Sequence, residues 1–153
     1  MHEFTKANTL IKPSYVSLHT ALRFYGLTPE AVYRVQSITT EASCKYVDES
    51  LVYYYNQVDP EYYEIGIAEL KNESETAKIA TPEKALCDVI LFKPDLELND
   101  MKEVCEYLEE DLRFDMDELD NFNLDILREC AKTSKKGKLL EKIVEFIEYI
   151  GRI

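Results

Sequence analysis

The sequence predicts an α+β fold: an N-terminal helix, a small antiparallel sheet over about residues 32–80, and C-terminal helices packed on that sheet. Three observations carry this. Apolar residues recur at helical spacing in residues 17–26 and repeatedly after residue 81. The stretch between is rich in β-branched and aromatic residues punctuated by turn signals. The connections between its runs are short, which favours antiparallel pairing, and strands followed by a series of helices indicate an α+β architecture.

The first helix is expected from near Ser17 to Gly26. Leu18, Ala21, Leu22 and Tyr25 form one apolar face, Ser14 or Ser17 can cap it, and Gly26 supplies the left-handed residue that stops it. Thr28-Pro29-Glu30 reads as a cap, a first-turn proline and an acid at the start of a short helix. Strands are expected at 32–39, 51–55, 62–70 and 76–80, with turns at 48–50, 58–60 and 71–75.

Thr81 then caps a helix, with Pro82 in its first turn and Glu83 near the positive end of its dipole. Ala85, Leu86, Val89 and Ile90 form its buried stripe, and Lys93-Pro94 ends it. Asn99 or Asp100 caps the next helix, whose apolar face is Met101, Val104, Cys105, Leu108 and Leu112. Two more helices are expected at 124–132 and 138–150. Residues 1–94 form the α+β core, and 95–153 an acidic helical extension of the same compact unit.

The chain has 153 residues, enough to bury a core without disulfides or metal. Its net charge of −12 is concentrated in residues 95–125, where thirteen acids face only Lys102 and Arg113. Such a patch repels phosphate backbones and steers a basic protein partner, or it serves as a solvated helix face. The four cysteines lack the paired spacing of a zinc site and suit a reducing cytoplasm. Residues 1–12 contain no apolar signal-peptide core, and no stretch reaches the length of a membrane span.

Two stretches are the most informative. Residues 14–30 read SYVSLHTALRFYGLTPE, and residues 79–88 read IATPEKALCD. Together, in this order and spacing, they resemble the AbiEi family, the antitoxin half of bacterial type IV toxin–antitoxin and abortive-infection systems. The matching positions are Tyr15, Ser17, Leu18, Tyr25, Gly26, Pro29, Glu30, Thr81, Pro82, Glu83, Lys84 and Asp88. The resemblance spans residues 13 to about 92. It implies a cytoplasmic regulatory module that opposes a nucleotidyltransferase-like toxin, with or without direct binding, and that needs neither cofactor nor catalysis.

Two departures bear on DNA binding. Family members usually carry a winged helix before the first stretch, and the fourteen residues preceding Tyr15 are too few for one. The basic run that often follows the family's first strand is replaced by Glu41-Ala42-Ser43-Cys44-Lys45. Direct DNA binding by this chain is therefore disfavoured.

The residues themselves offer other readings. Thr81-Pro82-Glu83-Lys84 is first of all helix-start grammar, and Asp88 is a half-buried carboxylate that pairs with Lys84 or a strand residue. Glu69-Leu70-Lys71 matches the E-x-K element of metal-dependent nucleases, with Asp48 or Asp59 as the second acid. Residues 115–120 have the flavour of a calcium loop but lack its glycine and final glutamate. His19 has no triad around it. The cluster of Arg128, Lys132, Lys135, Lys136, Lys138 and Lys142 is expected to answer the 95–125 acids of the same chain or of another copy.

The leading expectation is an antitoxin-like module whose partner surface comprises exposed strand tyrosines, Tyr53 and Tyr55, and the acidic residues Glu103, Glu106, Glu110 and Asp117. The alternatives are an orphaned protein-interaction module and, behind it, an E-x-K nuclease. The sequence sets no oligomeric state.

Overall fold

The computed structural model describes residues 2–29 and 33–152. In chain order the elements are α1 (His2–Leu10), β1 (Ser14–Val16), α2 (Leu18–Phe24), β2 (Arg34–Thr39), β3 (Cys44–Asp48), β4 (Leu51–Gln57) and α3 (Pro60–Tyr63). There follow β5 (Ile67–Lys71), β6 (Thr76–Ala80), α4 (Pro82–Leu91) and α5 (Met101–Glu106), which runs into a π-helical turn (Tyr107–Asp111). A 3₁₀ turn (Met116–Asn121), α6 (Leu124–Thr133) and α7 (Gly137–Ile150) complete the chain. The fold class is α+β, as the sequence predicts.

The six strands form one sheet in the order β3-β4-β2-β1-β6-β5. The sheet is mixed rather than wholly antiparallel. β1–β2, β3–β4 and β5–β6 are antiparallel, whereas β2–β4 and β1–β6 are parallel. The reason is local. Residues 40–43 can reach roughly 13 Å, enough to step over one strand position of ~4.8 Å on each side. β3 therefore lies on the outer edge, and β4 folds back into the gap beside β2. A short connection normally marks neighbours; here it skips one.

Two elements depart from the sequence reading in ways that matter. Residues 2–10 form α1, for which no helix is predicted, because only Phe4 and Ala7 on it are buried and its apolar stripe is faint. Asn8 ties α1 to the sheet: its amide donates to the Lys78 carbonyl (3.2 Å) and its carbonyl accepts from the Lys78 N–H (2.6 Å). Residues 62–63, expected in a strand, instead end α3. Asp59 and Pro60 supply its cap position and first-turn proline, so the helix-start grammar prevails over the β propensity of two tyrosines. Gly66, at φ +69°, then turns the chain into β5.

The Thr28-Pro29 start is not helical among the described residues, and Glu30 lies outside them. The three helices expected after residue 81 and around 124–132 and 138–150 form close to their predicted limits. The helix capped by Asp100 ends earlier as a regular α-helix and continues in the π turn.

Register sorts the side chains. Val16, Ser37 and Tyr55 are aligned across β1, β2 and β4, as are Tyr15, Ile38 and Asn56, and the two rows point to opposite faces. Tyr55 reaches the Ala7 carbonyl of α1, while Tyr15 reaches Asp88 of α4. So α1 covers one face and α4 the other. α4 is the central helix, buried from Glu83 to Ile90, and α6 and α7 pack against it. A continuous cluster of buried apolar residues runs from Phe4 to Ile147 and joins the core to the C-terminal helices.

Candidate functional site

The two most informative stretches of the sequence meet at one carboxylate. Asp88 sits in the middle of α4, fully buried. Its Oδ2 accepts from the hydroxyls of Tyr15 (3.0 Å) and Ser17 (2.5 Å), and its Oδ1 from Tyr62 (2.6 Å). Tyr15 arrives on β1 and Ser17 on the link between β1 and α2, both from the first stretch. Tyr62 arrives from α3. Burial pushes the Asp88 carboxyl above the usual carboxylate range, and the Lys84 charge and the three hydroxyls partly oppose that push. Burial likewise raises the Tyr15 and Tyr62 phenols, with the Asp88 charge adding to it.

Lys84 lies one turn earlier on the same helix and is also fully buried. Its ammonium donates to the carbonyls of Tyr62 (2.5 Å), Tyr63 (3.3 Å) and Ile65 (2.6 Å), at the end of α3. It also sits over the Tyr62 and Tyr15 rings, 4.2 and 5.3 Å from their centroids. Burial lowers its pKa, against the opposing pull of Asp88. Gly66 is required beside it: a β-carbon there would stand 2.8 Å from Lys84 Cβ. A buried ammonium is costly unless its donors are satisfied, and three backbone carbonyls do this.

The remaining motif residues serve the same joint. Thr81 caps α4 by accepting from the Lys84 N–H at 3.2 Å, and Pro82 occupies the first turn as expected. Glu83 accepts from the Asn123 N–H at 2.8 Å and so ties the entry of α6 to α4. Tyr25 donates to the Ala80 carbonyl at 2.7 Å, and Gly26 ends the α2 segment at φ +73°. Leu18 is buried with φ +57°, and Pro29 is exposed outside any element. Ser17 does occupy the cap position of α2, but its hydroxyl goes to Asp88 and leaves the helix uncapped by a side chain. Asp88 is thus more deeply buried than the half-buried carboxylate the sequence suggests. This constellation is closed to solvent and satisfied internally; it holds elements together and exposes no reactive group.

The predicted partner surface needs correction. Tyr53 and Tyr55 are not exposed; each retains 2% of its surface. Both point at α1, where Tyr55 donates to the Ala7 carbonyl (2.5 Å) and Lys6 stands over the Tyr53 ring (5.9 Å). The error follows from the unpredicted helix: without α1 this face of β4 would be bare. The exposed aromatic and aliphatic residues on the edge are instead Tyr46 and Val47 of β3.

The acidic candidates divide. Glu103 is half-buried and serves the start of α5: the N-cap Asp100 accepts from the Glu103 N–H and Glu103 from the Asn99 N–H, each at 2.9 Å. Glu106, Glu110 and Asp117 are exposed, and Glu106 faces Lys102 at 3.9 Å. Among the described residues, Arg128–Asp125 (3.3 Å) is the sole ion pair between the basic cluster and these acids. Lys136 and Lys142 instead donate to backbone carbonyls of Ile90, Lys93 and Asn99.

Glu69 and Lys71 lie on the edge strand β5, 3.5 Å apart. Asp48 ends β3 at the opposite edge, five strand spacings or roughly 24 Å away, and pairs with Lys6. Asp59 occupies the cap position of α3. Among the described residues no three His, Cys, Asp or Glu side chains cluster as metal ligands would. No helix there is long and apolar enough to cross a membrane.

No family model matches this chain, and neither does any curated protein. The sequence signals that point to the joint were present as Tyr15, Ser17, Lys84 and Asp88. The contributions of Tyr62 and Gly66 were hidden by the strand reading of residues 62–70.

Proposed function

We propose that this chain is an antitoxin-like regulatory module of a bacterial type IV toxin–antitoxin system, acting in the cytoplasm against a nucleotidyltransferase-like toxin. The reading rests on the resemblance of residues 14–30 and 79–88 to the AbiEi family. One observation supports it above the others: Asp88 of the second stretch accepts hydrogen bonds from Tyr15 and Ser17 of the first. Residues that carry the resemblance at two distant places thus meet in one joint. In this reading the joint is scaffold, and the working surface is the exposed acidic flank with Glu106, Glu110 and Asp117. Such a surface suits a basic protein partner and disfavours DNA.

The module is non-catalytic in this account. Of the two acids offered for the nuclease alternative, Asp48 lies at the sheet edge opposite Glu69, and Asp59 caps α3. An orphaned interaction module would present the same acidic surface, and a toxin gene beside this one separates the two readings. The test is survival of a sensitive host expressing that neighbouring toxin, with and without this chain. Rescue is expected; death of the host despite abundant folded protein would refute the antitoxin role.

A further inference from the structure

A polar cleft lies on the α4 side of the sheet, bordered by Leu18 and Val89 beside the Asp88 joint and by Asp111 of the acidic segment. Its volume is about 620 Å³, within the roughly 300–1,000 Å³ range of small-molecule sites. β2 and β4 form its floor through Arg34, Gln36 and Asn56; the C-terminal end of α4 contributes Phe92 and Lys93. The π-helical turn closes it with Tyr107 and Asp111.

Three features characterise this cleft. First, Tyr107 in its wall is 3% exposed, and its buried hydroxyl has no hydrogen-bond partner among the described residues. Buried hydroxyls are almost always satisfied, so an unpaired one calls for an explanation. Second, two uncommon backbone conformations adjoin it: Leu18 at φ +57° and the π turn itself. Both types of feature concentrate at functional sites. Third, on a chain of net charge −12, Arg34 and Lys93 have no carboxylate partner among the described residues. The Arg34 guanidinium stacks over the Tyr54 ring at 5.7 Å, which orients its donors.

We propose that this cleft binds a small phosphomonoester that carries a flat ring, of the size of a nucleoside monophosphate. Arg34 and Lys93 supply the charge-assisted donors a phosphate needs. Phe92, 37% exposed, offers a ring face for stacking. Gln36 and Asn56 present amides, and Asp111 accepts from a hydroxyl or amine on the ligand while opposing additional phosphates.

The test is calorimetric titration of the full chain with adenosine 5′-monophosphate, with inorganic phosphate and adenosine run alongside. Saturable one-to-one binding of the nucleotide is expected, at least about tenfold tighter than either fragment. Lys93→Gln and Arg34→Gln, both surface changes, should each weaken it by about tenfold or more without altering the circular dichroism. Lys135→Gln, on the turn between α6 and α7, should leave it unchanged. Absence of nucleotide binding, equal binding of inorganic phosphate, or an equal loss on Lys135→Gln would each overturn the proposal.

Discussion

Replacing Asp88 with alanine should cost this protein a large part of its stability. The carboxylate is the common acceptor for three buried hydroxyls, of Tyr15, Ser17 and Tyr62. Stranding one buried donor costs about 1–3 kcal/mol. The three do not add fully, because the hole left by a carboxylate is polar and can admit water. The Lys84 ammonium keeps its three carbonyl acceptors and loses only the nearby opposing charge. We therefore expect a loss of about 3–5 kcal/mol, against a total of roughly 5–15 kcal/mol for a typical domain. With a urea slope near ~2 kcal/mol per molar, the midpoint should fall by about 2 M. Urea titration followed by circular dichroism and tyrosine fluorescence reads this directly, since the chain has eleven tyrosines and no tryptophan. A midpoint for Asp88→Ala within the error of the parent would refute the reasoning.

The same carboxyl gives a pH signature. Its pKa is raised on folding, so between the unfolded value and the folded value the native state holds more protons than the unfolded one. Its contribution to stability is fully present below the unfolded pKa and is lost as pH rises through the folded pKa. The parent should thus gain stability relative to Asp88→Asn as pH is lowered from neutral toward the ordinary carboxylate range; parallel stability curves would contradict this. Gly66→Ala should destabilise by on the order of 1–3 kcal/mol, because the φ is left-handed and the new methyl meets Lys84 Cβ, and a thermal melt checks it. Tyr55→Phe should cost about 1 kcal/mol by removing the bond to the Ala7 carbonyl, measurable by the same melt. Toward a thiol reagent, exposed Cys44 should react first, whereas buried Cys87 and Cys130 should react only after unfolding.

The helices of the second half were legible because their signals are local. Thr81-Pro82 and Asp100 cap where helix grammar places them, and the stripes of α6 and α7 follow the helical period. The sheet was legible as a set of strands but not as a topology. Its parallel pair β2–β4 comes from β4 inserting between β2 and β3, the parallel pair β1–β6 joins strands distant in sequence, and neither placement is written in the composition of the connecting residues. The weak stripe of α1 hid the cover over Tyr53 and Tyr55, and two candidate surface residues became core. The polar joint was half legible. Lys84 and Asp88 stood out as charges on an apolar helix, but their donors and acceptors come from β1 and α3, distant in sequence and recoverable only from packing.

The account separates a structural joint from a working acidic surface, and one survival assay addresses that separation most directly. The neighbouring toxin would be expressed with the parent chain or with Glu106→Lys/Glu110→Lys/Asp117→Lys, whose fold is first verified by its melting curve. The account predicts rescue by the parent and loss of rescue by the folded, charge-reversed variant. Failure of the folded parent to rescue, or full rescue by the variant, would contradict it.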